Sequence, residues 1–479
     1  MRRQTISMEK FPDNVLLAIF NSYLDILDKY TPEKEREEAW LSLVHVCHRW
    51  RSIVFGSPPQ LDLQLVCTPR THARDTLDVW TALPLVIQCH DDHPIGNVDN
   101  IVAVLERTDR VRRIDLVGIS SSNLEIVLTA MQQPFPELIF LRLWPYNGTV
   151  PVVLDSFLGG SASRLEGLEF GYIPFPGLPK LLLSAVCLRV LRLMIPHSTY
   201  ISPDVMVTIL STLTSLDSLT LGFESPGSFP DRENRRLPPS TRSILPVLGS
   251  FRFKGATQYL EDFVARIDAP QLNELSITFF DNVTFDIPQV MQFTCRTPML
   301  RALQKVHITL CDQAAYVNFL SRTSDNGNFN VEILRIGLDK ALQVLSLEQV
   351  CASCLSPLSI SEDLYMYNRP GWHLDWNDNI ENGLWLELLH LFSGVKNLYL
   401  CKELATDIAP ALRELVEARM TEVLLPTLEN IYLEGLASSR PVEEGIGQFV
   451  TARQATGHPI AISRWANSER EKISLYYVD

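Results

Sequence analysis

The chain has 479 residues, 46% of them hydrophobic and 20% charged, which is enough apolar material for a large core and excludes a disordered or collagen-like polymer. Forty-two bases against fifty-six acids give a formal charge of −14, so neither nucleic acid nor an anionic membrane is expected as a partner. At about 150 residues per domain, the length predicts roughly three domains, or one extended repeat array with a small addition.

The first stretch, MRRQTISMEKFPDN, has bases but no apolar run behind them, and VLLAIF is only six residues long. Neither a signal peptide nor a spanning helix is expected. Nine cysteines with no repeating spacing fit reduced thiols in the cytoplasm or nucleus, which makes the sequons at Asn147 and Asn282 accidental.

From Phe11 onward Val15, Leu16, Ile19, Phe20 and Leu24 recur at helical spacing and predict a first helix. Pro12 sets the chain direction and Asp13 is placed to cap the first turn. Thr31-Pro32 opens a stretch whose Glu, Lys and Arg residues read as an exposed face. Leu41, Val44, Cys47, Trp50, Ile53 and Val54 form a further apolar stripe, ended by Gly56 and Pro58-Pro59. Two or three amphipathic helices in about 60 residues cannot cover all these faces, so a partner or the following domain is expected to do so.

Phe11-Pro12-Asp13, Leu16, Ile19-Phe20, Leu24, then Val46-Cys47-His48-Arg49-Trp50 and the Ser57-Pro58-Pro59 turn resemble an F-box. The sequence departs from the common pattern at Phe11 and Asn14 and carries a longer charged stretch near 28 to 39. The resemblance implies docking on the Skp-type adaptor of a cullin ubiquitin ligase through Phe11, Pro12, Leu16, Ile19, Phe20, Leu24, Leu41, Val44 and Trp50. The alternative is that the same stripe is the core of a helical cap on the next domain.

After residue 110 the pattern apolar-x-x-apolar-x-apolar recurs twelve times. It begins at Val111/Ile114/Leu116 and Leu138/Leu141/Leu143 and continues at Leu165/Leu168/Phe170, Leu188/Leu191/Leu193, Leu216/Leu219/Leu221, Leu248/Phe251/Phe253 and Leu272/Leu275/Ile277. It ends with Leu303/Val306/Ile308, Val331/Leu334/Ile336, Leu355/Leu358/Ile360, Val395/Leu398/Leu400 and Leu428/Ile431/Leu433. The mean interval is about 29 residues, room for one strand and one helix per unit at the long end of the leucine-rich-repeat range. Such units cannot bury their own apolar faces and must stack. The expected fold is a small all-α F-box-like module at 8–60, a transition and N-terminal cap at 61–110, and an α/β leucine-rich-repeat solenoid at 111–479. Its parallel sheet is expected to be curved, with helices on the convex side.

Strand alternation sends the second and third apolar residues of each triplet inward and their neighbours onto the concave face. Asp115, Arg142, Glu169, Arg192, Arg252, His307, Arg335, Tyr399 and Tyr432 are in one such column, and Arg113, Glu274 and Lys305 in another. Six bases against three acids make this strip positive on a negative protein. Arg113, Arg142, Trp144, Arg192, Arg252, Lys305, His307, Arg335, Tyr399 and Tyr432 are therefore candidates for holding a protein target, suited to an acidic or phosphorylated peptide because guanidinium groups bind such anions bidentately. The alternative is that local Asp and Glu residues satisfy these arginines.

The longest interval holds Trp372, Trp376 and Trp385, with Trp385 expected to pack on the array from a helix and the other two open as loop residues. Residues 355–444 carry fifteen acids against six bases. The stretches WLELLHLFSGVKNLYLCKEL, APALRELVEARMTEVLLPTLENIYLEG and IGQFVTARQATGHPIAISRW resemble the C-terminal part of the large group of F-box proteins of mushroom-forming fungi with degenerate leucine-rich repeats. That resemblance implies a non-catalytic substrate receptor without cofactors.

Chemical motifs are sparse. Cys351-Ala-Ser-Cys354 has no second pair at zinc spacing, and His90-Asp-Asp-His93 reads as a solvated turn. No phosphate loop, nucleophile elbow or His-Glu-x-x-His pattern occurs, so no catalytic or metal site is expected.

Overall fold

The computed structural model describes residues 11–30, 39–57, 61, 63–70, 73–79, 83–90, 98–146, 150–196, 198–224, 242–279, 287–301, 305–311, 314–320, 328–334, 340–353, 361–369, 381–418, 424–434 and 440–465. It contains two compact units, Met1–Leu188 and Arg189–Asp479.

The first unit opens with three helices, α1 (Asp13–Tyr30), α2 (Ala39–Val44) and α3 (His48–Gly56). The amides of Val15 and Leu16 donate to the Pro12 carbonyl, 3.0 and 3.1 Å. Asp13, rather than capping, holds Arg49 at 2.6 Å. The stripe from Leu41 to Val54 breaks at Cys47, whose extended backbone and side chain cap α3. Leu16, Phe20, Leu43, Val44, Ile53 and Val54 are buried together, and the Phe20 and Trp50 rings meet at 4.6 Å.

The sheet of this unit is β1 (Leu65–Cys67), β2 (Leu85–His90), β3 (Val111–Ile119), β4 (Phe140–Pro145) and β5 (Gly167–Gly171), each paired in parallel with the next. Helices α4 (Ala73–Val79), α5 (Asp99–Leu105), α6 (Ser121–Ala130) and α7 (Leu178–Ser184), with a 3₁₀ turn at Phe157–Gly160, connect or follow them. Ser120 caps α6 through the Asn123 amide. The triplet residues Ile114, Leu116, Leu141, Leu143, Leu168 and Phe170 are buried as alternation requires. Two strands, β1 and β2, stand where the sequence offered only a transition; their signal is the alternation Leu85, Ile87, Cys89, all buried.

The second unit contains β6 (Val190–Ile195), α8 (Pro203–Leu210), β7 (Ser218–Phe223), β8 (Ser243–Ile244), β9 (Ser250–Gly255), α9 (Thr257–Val264), β10 (Ile267–Asp268), β11 (Glu274–Phe279), α10 (Pro288–Arg296) and α11 (Pro298–Arg301). There follow β12 (Lys305–Cys311), β13 (Ala314–Leu320), β14 (Asn328–Leu334), α12 (Lys340–Ser353), β15 (Asp363–Arg369) and α13 (Asn382–His390). The last elements are β16 (Asn397–Leu400), α14 (Lys402–Glu417), β17 (Asn430–Glu434), α15 (Arg440–Ala455) and β18 (Ala461–Trp465). Strands β6, β7, β9 and β11 run in parallel, as do β12, β15, β16, β17 and β18. Helix residues cover the triplet face: Phe263 of α9 lies 5.5 Å from Phe251, and Tyr259 lies 4.7 Å from Phe223. Strands β8 and β10 form a separate parallel pair.

Between β11 and β15 the repeat pattern is overturned. Strands β12, β13 and β14 form an antiparallel meander whose last strand, β14, returns to pair in parallel with β11. The ninth triplet predicted Leu334 and Ile336 in the inward column. The register instead aligns Phe329, Val331 and Ile333 with Leu275, Ile277 and Phe279, a one-residue slip that exchanges the two faces. The tenth triplet, 355–360, lies outside the described residues, and β15 supplies the next column with Leu364 and Met366 opposite Val306 and Ile308.

Candidate functional site

Three surfaces emerge from this framework. The first is on the N-terminal helices. Of the residues expected to face an adaptor, Leu16, Phe20 and Val44 are buried among the helices, while Trp50, Phe11 and Leu24 are half-buried. Leu16, Phe20 and Val44 hold the helices together, while Trp50, Phe11 and Leu24 keep part of their surface open. Leu41 is in α2, and its side chain lies outside the described residues. Pro12 and Ile19 are exposed, and the structure adds Tyr23, one turn on from Ile19, and Val46 after α2, exposed by 39% and 58%. The spacing Ile19 to Tyr23 was the available signal for that face.

The second surface is the polar row of the first unit's sheet. Asp115 is buried, with Arg113 at 3.2 Å and Arg142 at 3.9 Å, and Arg142 reaches Glu169 at 3.2 Å. Arg113 also sits over the Phe140 ring at 4.2 Å. Signs alternate across the strands, so the arginines expected to offer free positive charge are largely matched inside the row. Trp144 is half-buried and meets Tyr172 edge-on at 6.3 Å.

The third surface is the corresponding row of the second unit. Arg192, half-buried, aligns with Thr220, and Thr220 with Arg252. Arg252 donates to Glu274 through Nη2 at 2.9 Å and Nε at 3.3 Å. Further along, His307, Tyr365, Tyr399 and Tyr432 occupy one register position on four parallel strands. Strands about 4.8 Å apart stack like rings in register, and here the tyrosines lie 4.0 and 4.4 Å apart with planes 8° off parallel. Trp465 leans edge-on over Tyr399 and Tyr365 at 5.5 and 5.9 Å.

His307 was expected on the open face and is only 2% exposed, covered by Tyr365 at 4.3 Å and Tyr367 at 5.7 Å. Burial, with Lys305 beside it, pushes its imidazole down to about 3, and neither ring nitrogen has a hydrogen-bond partner among the described residues. Lys305 sits 5.9 Å over the Tyr365 ring. Two residues back along the same strands, Asn397 Nδ2 donates to Asp363 at 2.7 Å and Asn430 Nδ2 to Asn397 Oδ1 at 2.8 Å. That amide row had no counterpart in the repeat reading. Its signal was Asn397 and Asn430 standing just before Leu398 and Ile431.

Arg335, Trp372, Trp376, His93 and Cys354 lie outside the described residues, as does the side chain of His90. Trp385 is fully buried on α13, as expected. Burial raises the thiols of Cys67 and Cys401 to about 11 and about 12, which keeps both protonated and poor as nucleophiles at neutral pH. Among the described residues no three His, Cys, Asp or Glu side chains converge as metal ligands, and no helix is long and apolar enough to cross a membrane. No family model matches the chain, and no curated protein is similar to it.

Proposed function

We propose that the chain is the substrate-recognition subunit of a Skp-cullin-F-box ubiquitin ligase acting in the cytoplasm or nucleus. Its N-terminal F-box helices dock on the adaptor, and a leucine-rich-repeat array holds a target protein near a ubiquitin-charged enzyme. The mechanism is proximity, with no reaction carried out by the chain and no cofactor. The observation that carries this reading is the exposed apolar set Pro12, Ile19, Tyr23 and Val46 beside a helical core already closed by Leu16, Phe20 and Val54. A cap serving only its own domain would gain nothing from leaving these residues in water. The polar rows supply the target face. An acidic or phosphorylated target would engage Arg142 and Arg252 by displacing Glu169 and Glu274.

The test uses surface positions, since truncating Leu16 would damage the core itself. In a pull-down with purified Skp-type adaptor, wild type binds and the Ile19→Asp, Tyr23→Asp double variant loses at least about tenfold in affinity, the scale for two interface anchors, with an unchanged melting temperature. A wild-type chain that ignores the adaptor overturns the reading in favour of a repeat-protein scaffold without a ligase role.

A further inference from the structure

Both side-chain rows of the second unit stop at the same strand. The next register position after Tyr432 is Ser463, and the next after Asn430 is Ala461. The aromatic row therefore ends on the outer face of Tyr432, with a residue too small to continue the stack. The amide row has a direction, imposed by the Asp363 carboxylate at its start: Asn397 donates to Asp363 and accepts from Asn430, so each Nδ2 is spent toward Asp363. Asn430, the last amide, spends its Nδ2 on Asn397, and its Oδ1 accepts no hydrogen bond from the described residues. Ala461 and Ser463 are exposed, so they form the floor of a notch with the Tyr432 ring and the Asn430 acceptor as its wall.

We propose that this notch binds an arginine side chain of a partner polypeptide. Its guanidinium stacks on Tyr432 as the fifth rung of the row and donates an N–H to Asn430 Oδ1. Two demands fall on one group there: a flat face for the ring and an N–H donor in the same plane. A guanidinium meets both, and its charge is drawn to the negative face of the ring. A lysine ammonium has no flat face, and a phenyl ring has no donor. The nearest base on β18, Arg464, aligns with the buried Leu433 and so belongs to the other face of the strand. The inference stands apart from adaptor docking by the N-terminal helices and can fail without it.

The experiment is saturation-transfer NMR on the full chain with acetyl-Gly-Arg-Gly-amide as probe and acetyl-Gly-Lys-Gly-amide as comparator. The arginine probe should show transfer at its δ-methylene, and the lysine probe clearly less. Ser463→Phe, which puts a ring on the open face of Tyr432 from an exposed site, should cut the arginine signal about fivefold, the scale of an exposed cation–π contact. Tyr432→Ala should do the same, and Tyr146→Ala, exposed in the other unit, should leave it unchanged. Equal transfer to both probes, or a signal that survives Ser463→Phe, overturns the proposal. Absence of binding overturns it as well. Binding that emerges only after residues 466–479 are removed also overturns it, because it assigns the notch to the chain's own end.

Discussion

His307 is the residue at which the sequence was most misleading. Its place in an outward column made it read as a surface ligand, and only the pairing with β15 reveals Tyr365 and Tyr367 closing over it. Neutral in the fold and held near pKa about 3, it takes up no proton where the unfolded chain does, below its ordinary value of about 6.5. The stability it gives is whole above about pH 6.5 and is lost as pH falls toward 3. Between pH 7 and 4.5, wild type should therefore lose about 2 to 3 kcal/mol more than His307→Phe in urea unfolding. Equal losses would mean the imidazole is solvated. Gly171 is fixed by close approach, since a Cβ there would sit 2.6 Å from the Trp144 ring. Gly171→Ala should cost about 1 to 3 kcal/mol, read as a lower melting temperature with a shifted tryptophan emission. Gly56→Ala, with nothing within 4 Å, should change neither. A glycine inside a strand pattern announces some close approach, but not which ring makes it.

Strands were legible wherever period-two burial and the repeat interval agreed. Leu191 and Leu193, Leu219 and Leu221, and Leu398 and Leu400 are all buried in their expected places, because each inward column must meet the helix layer. The interval failed between β11 and β15, where local alternation was the better guide. NFNVEIL alternates from Asn328 to Ile333, and its pairing with β13 and β11 overrode the triplet ending in Ile336. The apolar residues of β13, Val317 and Phe319, are fully buried, so the meander belongs to the core. Phe319→Ala should then cost about 3 to 5 kcal/mol; a surface insertion would lose under about 1. Denaturant midpoints of the two proteins decide between these. On the N-terminal helices the apolar stripe was legible as a stripe, but not which part faces inward. Leu16 and Ile19 differ by less than one turn, and only the placement of α2 and α3 buries the one and exposes the other.

At the scale of the whole chain, the −14 charge gave no guide to the sign of either sheet row, because pairing across strands is a tertiary matter. Asp115 between Arg113 and Arg142, and Glu274 beside Arg252, make each row close to neutral where a column count had made it positive. The same locality governs stability. Each strand–helix unit is buried chiefly against its neighbours, and such arrays gain stability from unit and nearest-neighbour interactions summed along the chain. The antiparallel meander interrupts that sequence of like neighbours in the second unit, and the chain divides into two compact units, each with its own buried columns. Unfolding should therefore not be all-or-none: the calorimetric enthalpy should exceed the van't Hoff enthalpy, and probes in different units should report different midpoints. Trp50 and Trp144 lie in the first unit and Trp385 and Trp465 in the second, so single-tryptophan variants give the two readings directly. Coincident transitions with an enthalpy ratio of one would instead mean that the 479 residues unfold as a single cooperative body.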